Sequence, residues 1–166
     1  MRSILALLVS ATLATSTLAI TGDQVIEVLA GFTQAVIQKD DLAEMRTCAK
    51  DADLLVGDVE NLIHDVTTLT FSGFFDAVVT TGRILGETPF VFRDCESLQD
   101  DLNKIKAQAA VFTNIGELTE RITKNYVWHY SEIMDDIHTA NADATAGDYY
   151  GFGQGIGSAV FVALQP

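Results

Sequence analysis

The sequence predicts an all-α protein, an antiparallel bundle of about five to six helices joined by one disulfide. Apolar residues recur at intervals of three and four along most of the chain, which is the period of helices that bury one face. No convincing run of alternating polar and apolar residues indicates a strand. The predicted helices are long and their connections short, so neighbouring helices are expected to run antiparallel.

Residues 1–19 have the pattern of a cleavable secretory signal peptide. Arg2 precedes an apolar stretch, and Thr17 and Ala19 occupy the small-residue positions before a cleavage site. An uncleaved anchor is the alternative, but a spanning helix needs roughly 20 predominantly apolar residues and this run is shorter. We therefore predict a single helical domain over 20–166, without a transmembrane segment after cleavage. Its expected location is extracellular or in the lumen of a secretory vesicle.

Acidic residues outnumber basic ones, with 23 Asp and Glu against 10 Lys and Arg and a net charge of −13. Loss of Arg2 with the signal peptide makes the mature chain one unit more negative. A protein of this charge is repelled by nucleic acid and by anionic lipid surfaces. We expect neither as a partner, whereas cationic partners and divalent ions stay permitted.

Cys48 and Cys95 are the two cysteines of the sequence. Because the chain is expected to enter an oxidising compartment, we predict that they form an intramolecular disulfide. Two buried free thiols are the alternative. Their separation does not fit the Cys-x-x-Cys spacing of a redox-active pair.

Two helices are predicted at the start of the mature chain. Asp23 is placed to cap the first, which ends near Lys39 and Asp40. Its apolar stripe consists of Val25, Leu29, Phe32 and Val36. The second is a long helix over 41–69 whose apolar stripe includes Cys48, so this cysteine is expected to face inward.

Three further helices are predicted after an interruption at 70–73. The third helix has an apolar stripe, and Pro89 must stop or kink this helix. The members of this stripe are Phe74, Phe75, Val78, Val79 and Leu85. The fourth helix starts at Cys95 and contains Leu98 and Leu102, and the fifth runs over 114–144.

Glycine occupies every second position from 151 to 157. A dinucleotide-binding fingerprint requires G-x-G-x-x-G after a strand, but Ile156 stands at the last position and no strand is predicted there. The phosphate-loop pattern fails because Gly-Lys-Ser/Thr is missing. We predict instead a last helix capped by Asp148, in which Gly153 and Gly157 let a neighbouring helix approach closely. No cofactor is expected.

The polar residues of the fifth helix do not form a recognised metal motif. His129 and Glu132 share a face, as do Asp135 and His138, which makes a weak divalent site geometrically possible. A di-iron bundle requires Glu-x-x-His on two helices, and the matching position before His64 holds Asn rather than Glu. A solvated polar face is the preferred interpretation.

Two acidic segments, 51–57 and 141–145, share some positions with calcium-binding loops. The first has Leu55 and Val56 at its fifth and sixth positions, and the second has Phe152 where a calcium loop has Glu. Neither is predicted to bind calcium. With no defensible nucleophile and base pattern either, we assign no catalytic, cofactor-binding or metal-binding residue.

Five phenylalanines surround the third predicted helix. They are Phe71, Phe74, Phe75, Phe90 and Phe92. This set either lines a pocket for an apolar ligand or belongs to the core, and its helical spacing favours the core.

The overall layout is similar to that of small secreted helical proteins of ciliated protists, which have an apolar leader and two cysteines set in helices. The elements that carry the resemblance are Cys48 with Asp51, Asp58 and Glu60, the pair Asp94 and Cys95, and the terminal Gly147, Asp148, Tyr149, Tyr150, Phe152, Gly153 and Gly157. They extend over most of the mature chain. The resemblance implies an all-helical fold and a secreted location, and it implies no particular activity.

These patterns predict a secreted, acidic, helical protein with a non-catalytic structural or interaction role. Its expected partner is an unknown protein or a hydrophobic ligand. The alternative is a carrier of lipid or another hydrophobic ligand, or a membrane-active protein, whose Phe-rich core opens. An enzyme whose site is not visible in residue spacing is the third hypothesis.

Overall fold

The computed structural model of the protein describes residues 19–166. Eight α-helices follow one another in this part of the chain: α1 (Gly22–Ile37), α2 (Leu42–Cys48), α3 (Val56–Thr67), α4 (Phe71–Val91), α5 (Gln99–Ala109), α6 (Ile115–Trp128), α7 (Tyr130–Ala146) and α8 (Tyr149–Ala163). Three short 3-10 helices lie between them, at Ala52–Leu55, Glu96–Leu98 and Ala110–Thr113. The all-α class is confirmed, but the described helices number eight rather than five to six. The predicted signal peptide falls outside the described residues except for Ala19, and it stays a prediction.

Helix α8 packs against α1 on one side and α7 on the other, and its alternate glycines permit both contacts. A Cβ on Gly153 would overlap the carbonyl oxygen of Val28 in α1. A Cβ on Gly155 would lie 2.8 Å from the Cβ of Ala140 in α7. The predicted close approach at Gly153 is confirmed. The alternation arises because two glycine pairs, each spaced by one helical turn, face different neighbours.

The predicted disulfide is confirmed. Cys48, the last residue of α2, is bonded to Cys95, with their Cα atoms 5.5 Å apart. Cys95 is buried, as a residue facing the core should be, whereas Cys48 is half-buried. The fourth predicted helix does not start at Cys95: this residue precedes the 3-10 helix Glu96–Leu98, and α5 follows it.

The prediction of one long helix over 41–69 is wrong. The chain leaves the helical conformation at Ala49, where ψ is 136°, and Asp51 adopts a left-handed conformation with φ of 57°. The N–H of Lys50 donates instead to the carbonyl oxygen of Val91 at 3.0 Å. Contacts with the end of α4 therefore replace helical hydrogen bonds, which periodicity alone does not reveal.

The prediction of one helix over 114–144 is also wrong, because His129 interrupts it with φ of −114° and ψ of 26°. Val127, Trp128 and Tyr130 around the break are all exposed. These β-branched and aromatic residues are weak helix formers. Because Val127 and Trp128 are largely exposed, little burial offsets their low propensity at this point.

Two helix starts differ from the predictions. Thr21, rather than Asp23, caps α1: its Oγ1 accepts from the N–H of Gln24, whose side chain accepts from the N–H of Thr21 at 2.8 Å. Thr70 caps α4 by accepting from the N–H of Gly73 at 3.1 Å. The predicted interruption at 70–73 is therefore the first turn of a helix.

Pro89 lies inside the last turns of α4 and does not stop it before Val91. A proline near the end of a helix removes one hydrogen bond. The hydroxyl of Thr88 donates to the carbonyl oxygen of Ile84 at 2.8 Å, which supplies a local hydrogen bond in the same turn.

An ionic cluster of two buried carboxylates and two half-exposed lysines connects the chain after α1 to α5. Asp41 is fully buried, and the Nζ of Lys39 lies 2.7 Å from its Oδ1. Lys39 also pairs with the buried Asp101, which Lys104 contacts at 2.9 Å. The hydrogen bonds from Lys39 and Lys104 lower the pKa of Asp101, and the bonds to Asp101 and Asp41 raise that of Lys39. Within the described residues the carboxylate of Asp41 has no partner besides Lys39.

The residue after the predicted cleavage site yields a first testable prediction. Ile20 is 6% exposed, and its N–H donates to the Oε1 of Glu60 at 3.4 Å. Cleavage after Ala19 would turn this amide into a charged amino terminus next to a carboxylate. Secreted material is expected to begin at Ile20, and Glu60→Gln is expected to cost a chain with this terminus up to about 1 kcal/mol.

The measurement compares thermal unfolding of Glu60→Gln and wild type in two chains. One begins at Ile20, and the other keeps an acetylated Ala19 before it, so that the charge is absent. The substitution is expected to lower the melting temperature of the first chain more than that of the second. An equal loss in both chains would show that the charged terminus does not pair with Glu60.

Candidate functional site

A groove with apolar walls lies between α4, the end of α5 and the start of α6. Its volume is about 620 Å³, within the roughly 300–1,000 Å³ typical of small-molecule sites. We call it the apolar groove. It is lined by Val79, Gly82, Arg83, Leu85, Gly86, Pro89, Phe90, Lys106, Ala109, Ala110, Phe112, Thr113, Ile115 and Leu118.

One wall of the apolar groove is the solvent-facing side of α4. Val79, Gly82, Gly86 and Phe90 are spaced by three and four residues, so they form one stripe along the helix. A Cβ on Gly82 would collide with the ring of Phe112, so glycine here lets that ring close one end. A Cβ on Gly86 would meet nothing within 4 Å. The middle of this wall is therefore open because a side chain is missing.

The opposite wall comes from the end of α5, the following 3-10 helix and α6. Ile115 is 60% exposed at this edge, and Phe90 is 66% exposed across from it on α4. Leu85 and Leu118 are buried and form the floor. Large apolar side chains that converge on one concavity form a contiguous apolar surface, which marks binding sites more often than scattered residues do.

The charge of the apolar groove is opposite to that of the whole protein. Its two charged residues are cationic, Arg83 on α4 and Lys106 on α5. Among residues 19–166, no Asp or Glu lines it. The Nε of Arg83 lies 3.0 Å from the Oδ1 of Asp58, outside the lining.

A second, smaller cavity of about 250 Å³ lies behind the ring of Phe112. Phe112 and Leu85 line both spaces. The second cavity continues towards Phe32 of α1 and Val160 of α8. Phe112 thus stands between the apolar groove and the second cavity.

No family model, curated protein or solved structure matches this chain.

The resemblance to secreted proteins of ciliated protists therefore stays a prediction. In residues 19–166, no helix combines the length and the apolar character needed to cross a membrane.

The five phenylalanines singled out in the sequence divide into three groups. Phe74 and Phe92 are core residues, and Phe74 also contacts Tyr126 of the aromatic cluster, with ring centroids 5.5 Å apart. Phe90 lines the apolar groove. Phe71 and Phe75 belong to an aromatic cluster elsewhere, in which the rings of Phe71 and Tyr126 are 4.9 Å apart.

Sequence spacing did not reveal the groove residues Phe112 and Gly86. Phe112 follows a helix of polar composition, and Gly86 interrupts a stripe that otherwise contains Val79 and Phe90. The signal in the sequence that could have indicated the apolar groove was a second apolar stripe on α4, opposite its buried face.

The aromatic cluster continues from α4 onto α6 and α7. Tyr126 stacks edge-on against Tyr130, with ring centroids 5.4 Å apart. Burial raises the pKa of the Tyr126 hydroxyl, and Tyr130 adds to this effect. Beyond the cluster, Trp128 is 78% exposed. These contacts hold the α6–α7 junction against the start of α4.

The polar residues of α7 stay separate from the apolar groove. His129 Nδ1 lies 3.3 Å from Glu132 Oε2, which places these two side chains together as the helical spacing predicts. Burial raises the pKa of Asp136, with contributions from Glu132 and Asp135. No cluster of three or more His, Cys, Asp or Glu side chains suited to a metal occurs in the part of the chain that is described.

The two segments compared with calcium loops take different positions. Segment 51–57 contains the left-handed turn at Asp51 and the following 3-10 helix. Segment 141–145 lies inside α7. Burial raises the pKa of Asp143 in this segment, and the negative charge of Asp148 adds a smaller contribution in the same direction.

Proposed function

We propose that this protein is a secreted, non-catalytic binding protein that holds a hydrophobic ligand in the apolar groove. The observation that carries the proposal is a concavity of about 620 Å³ whose rim exposes Val79, Phe90 and Ile115. An apolar chain laid across this rim would remove its own surface and that of the rim from water. Each methylene buried in this way contributes roughly 0.8 kcal/mol.

The lining supports binding rather than chemistry. Among its described residues the polar side chains are those of Arg83, Lys106 and Thr113. A carboxylate, imidazole or thiol that could act as a base or nucleophile is not among them. Export is supported by the signal-peptide pattern of residues 1–19.

A substitution at Gly86 tests the proposal without disturbing the core. Gly86 lines the apolar groove, and its missing side chain leaves open space. Gly86→Leu is expected to place four carbons in the groove and to lower affinity for the neutral probe N-phenylnaphthylamine by about tenfold or more, measured by fluorescence titration. Because leucine is a better helix former than glycine, the variant is expected to be at least as stable as wild type.

The matched control is Gly57→Leu. Gly57 is also an exposed helical glycine with open space around it, but it lies on α3 outside the lining of the apolar groove. This variant is expected to bind the probe as wild type does. Unchanged binding by Gly86→Leu, or no saturable binding by the wild-type protein, would refute the proposed function.

A further inference from the structure

We infer that the ligand is a free, single-chain amphiphile with an acidic headgroup, of the fatty-acid class, whose chain lies in the apolar groove and whose carboxylate is held by Lys106 and Arg83. This inference rests on the proposed function and adds the headgroup. The proposed ligand is a dispersed molecule rather than a lipid surface, because the net charge of −13 repels an anionic bilayer.

The first support is local charge. The whole chain has more than twice as many acidic as basic residues, 23 against 10. The described lining of the apolar groove nonetheless contains Arg83 and Lys106 and no carboxylate. A cationic pair beside apolar walls is complementary to a molecule with one anionic end and one apolar chain.

The second support is that Lys106 is free to bind. Within residues 19–166, each Lys and Arg other than Lys106 and Lys124 forms an ion pair with a carboxylate. Lys124 lies 3.5 Å from the carbonyl oxygen of Pro166. Lys106 can therefore contact a ligand without first breaking an ion pair with a carboxylate of the described chain.

Arg83 contributes from the facing wall. Its Nε is engaged by Asp58 at 3.0 Å, which holds the guanidinium in place. The side chain is about half exposed. A guanidinium has five N–H donors, so an arginine held through Nε keeps its terminal donors for a second carboxylate.

The net charge of the protein distinguishes specific binding of an anion from nonspecific adsorption. The field of an acidic protein attracts cationic amphiphiles and repels anionic ones. A preference for the anion therefore requires a local cationic site, and nonspecific adsorption would give the reverse order. The apolar contribution is the same for molecules that share one alkyl chain.

The experiment compares tridecanoate, dodecanol and dodecyltrimethylammonium, which all have a twelve-carbon alkyl chain, as competitors of N-phenylnaphthylamine on the disulfide-intact protein, at neutral pH and below the concentrations at which they form micelles. Tridecanoate is expected to bind about fivefold tighter than dodecanol, with the cation weakest. Lys106→Gln is expected to remove most of this difference without changing affinity for dodecanol. Lys124→Gln, an equal change of charge outside the groove, is expected to leave the difference intact.

Each other outcome decides against one proposal. Equal binding of tridecanoate and dodecanol, or tighter binding of the cation, would overturn the acidic-headgroup inference and leave the groove as an apolar site, provided that Gly86→Leu still blocks both. Failure of all three to compete would overturn the proposed function as well. Sedimentation that shows a dimer for wild type and a monomer for Gly86→Leu would assign the groove to a second copy of the chain and overturn the inference.

Discussion

Replacement of Gly153 by alanine is expected to lower the free energy of unfolding by about 3 kcal/mol, even though alanine is the better helix former. The added Cβ would overlap the carbonyl oxygen of Val28, a backbone atom that cannot rotate away. Relief requires α8 to move away from α1. Such a movement would loosen the packing of Phe152 and Ile156, which are fully buried on α8. Packing therefore dominates over helix propensity, which alone favours alanine by roughly 1 kcal/mol.

The measurement is urea unfolding followed by circular dichroism with the disulfide intact. Gly57→Ala is the matched control, because a Cβ on this exposed glycine would meet nothing within 4 Å. This control is expected to be stabilised by about 0.5 kcal/mol. If Gly153→Ala were as stable as Gly57→Ala, the close contact between α1 and α8 would not exist in the folded protein.

Replacement of Lys39 by methionine is expected to destabilise the protein by about 2 kcal/mol at neutral pH, because it removes the partner of buried carboxylates although the lysine itself is about half exposed. Methionine keeps the length and the apolar stem of lysine, so the change chiefly removes the ammonium. Asp41 is fully buried, and its carboxylate would be left without a cation or hydrogen bond among the described residues. Asp101 would keep Lys104 as its remaining partner. The desolvated carboxylates then oppose folding.

The pH dependence of this effect follows from the lowered pKa of Asp101. In unfolded chains aspartate titrates near pH 3.9. Because the folded pKa is lower, the ionic cluster contributes stability above about pH 4, and this contribution is lost as the pH falls through the folded value. The difference between wild type and Lys39→Met is therefore expected to be largest at neutral pH and to narrow below about pH 4.

Lys50→Met is the control for the loss of a lysine. Lys50 pairs with Asp94 at the surface, where both side chains are about half exposed. Exposed pairs of this kind contribute little because water already solvates both charges. Two results would contradict the role assigned to the ionic cluster. One is a loss of stability for Lys50→Met as large as that for Lys39→Met. The other is a stability difference between wild type and Lys39→Met that stays constant from about pH 7 to about pH 3.

Local patterns in the sequence are enough to predict the class of the fold. The three- and four-residue periodicity reports helices with one buried face, since a helix side chain returns to the same face after one turn. The pairing of Cys48 with Cys95 follows from there being two cysteines and an expected oxidising location. Gly153 is predicted to contact a neighbouring helix because the surrounding sequence does not match the nucleotide-binding patterns.

Helix boundaries are less accessible to the same patterns. At Ala49 the helical period continues in the sequence, but the chain turns because the Lys50 N–H bonds to Val91 and Cys48 is tied to Cys95. These partners are more than forty residues away in the chain. A local pattern contains no information about such bonds.

The sequence by itself determined that this chain forms helices, that its cysteines pair and that glycine brings α8 close to a neighbour. Only the tertiary structure decided which faces meet, that Phe112 closes against Gly82, and that Lys106 and Arg83 flank a groove. The physical reason is that each helix buries one face whatever its neighbours are. A concave site, in contrast, exists only between elements that are distant in sequence, where a missing side chain at Gly86 and a ring at Phe112 are brought together by packing.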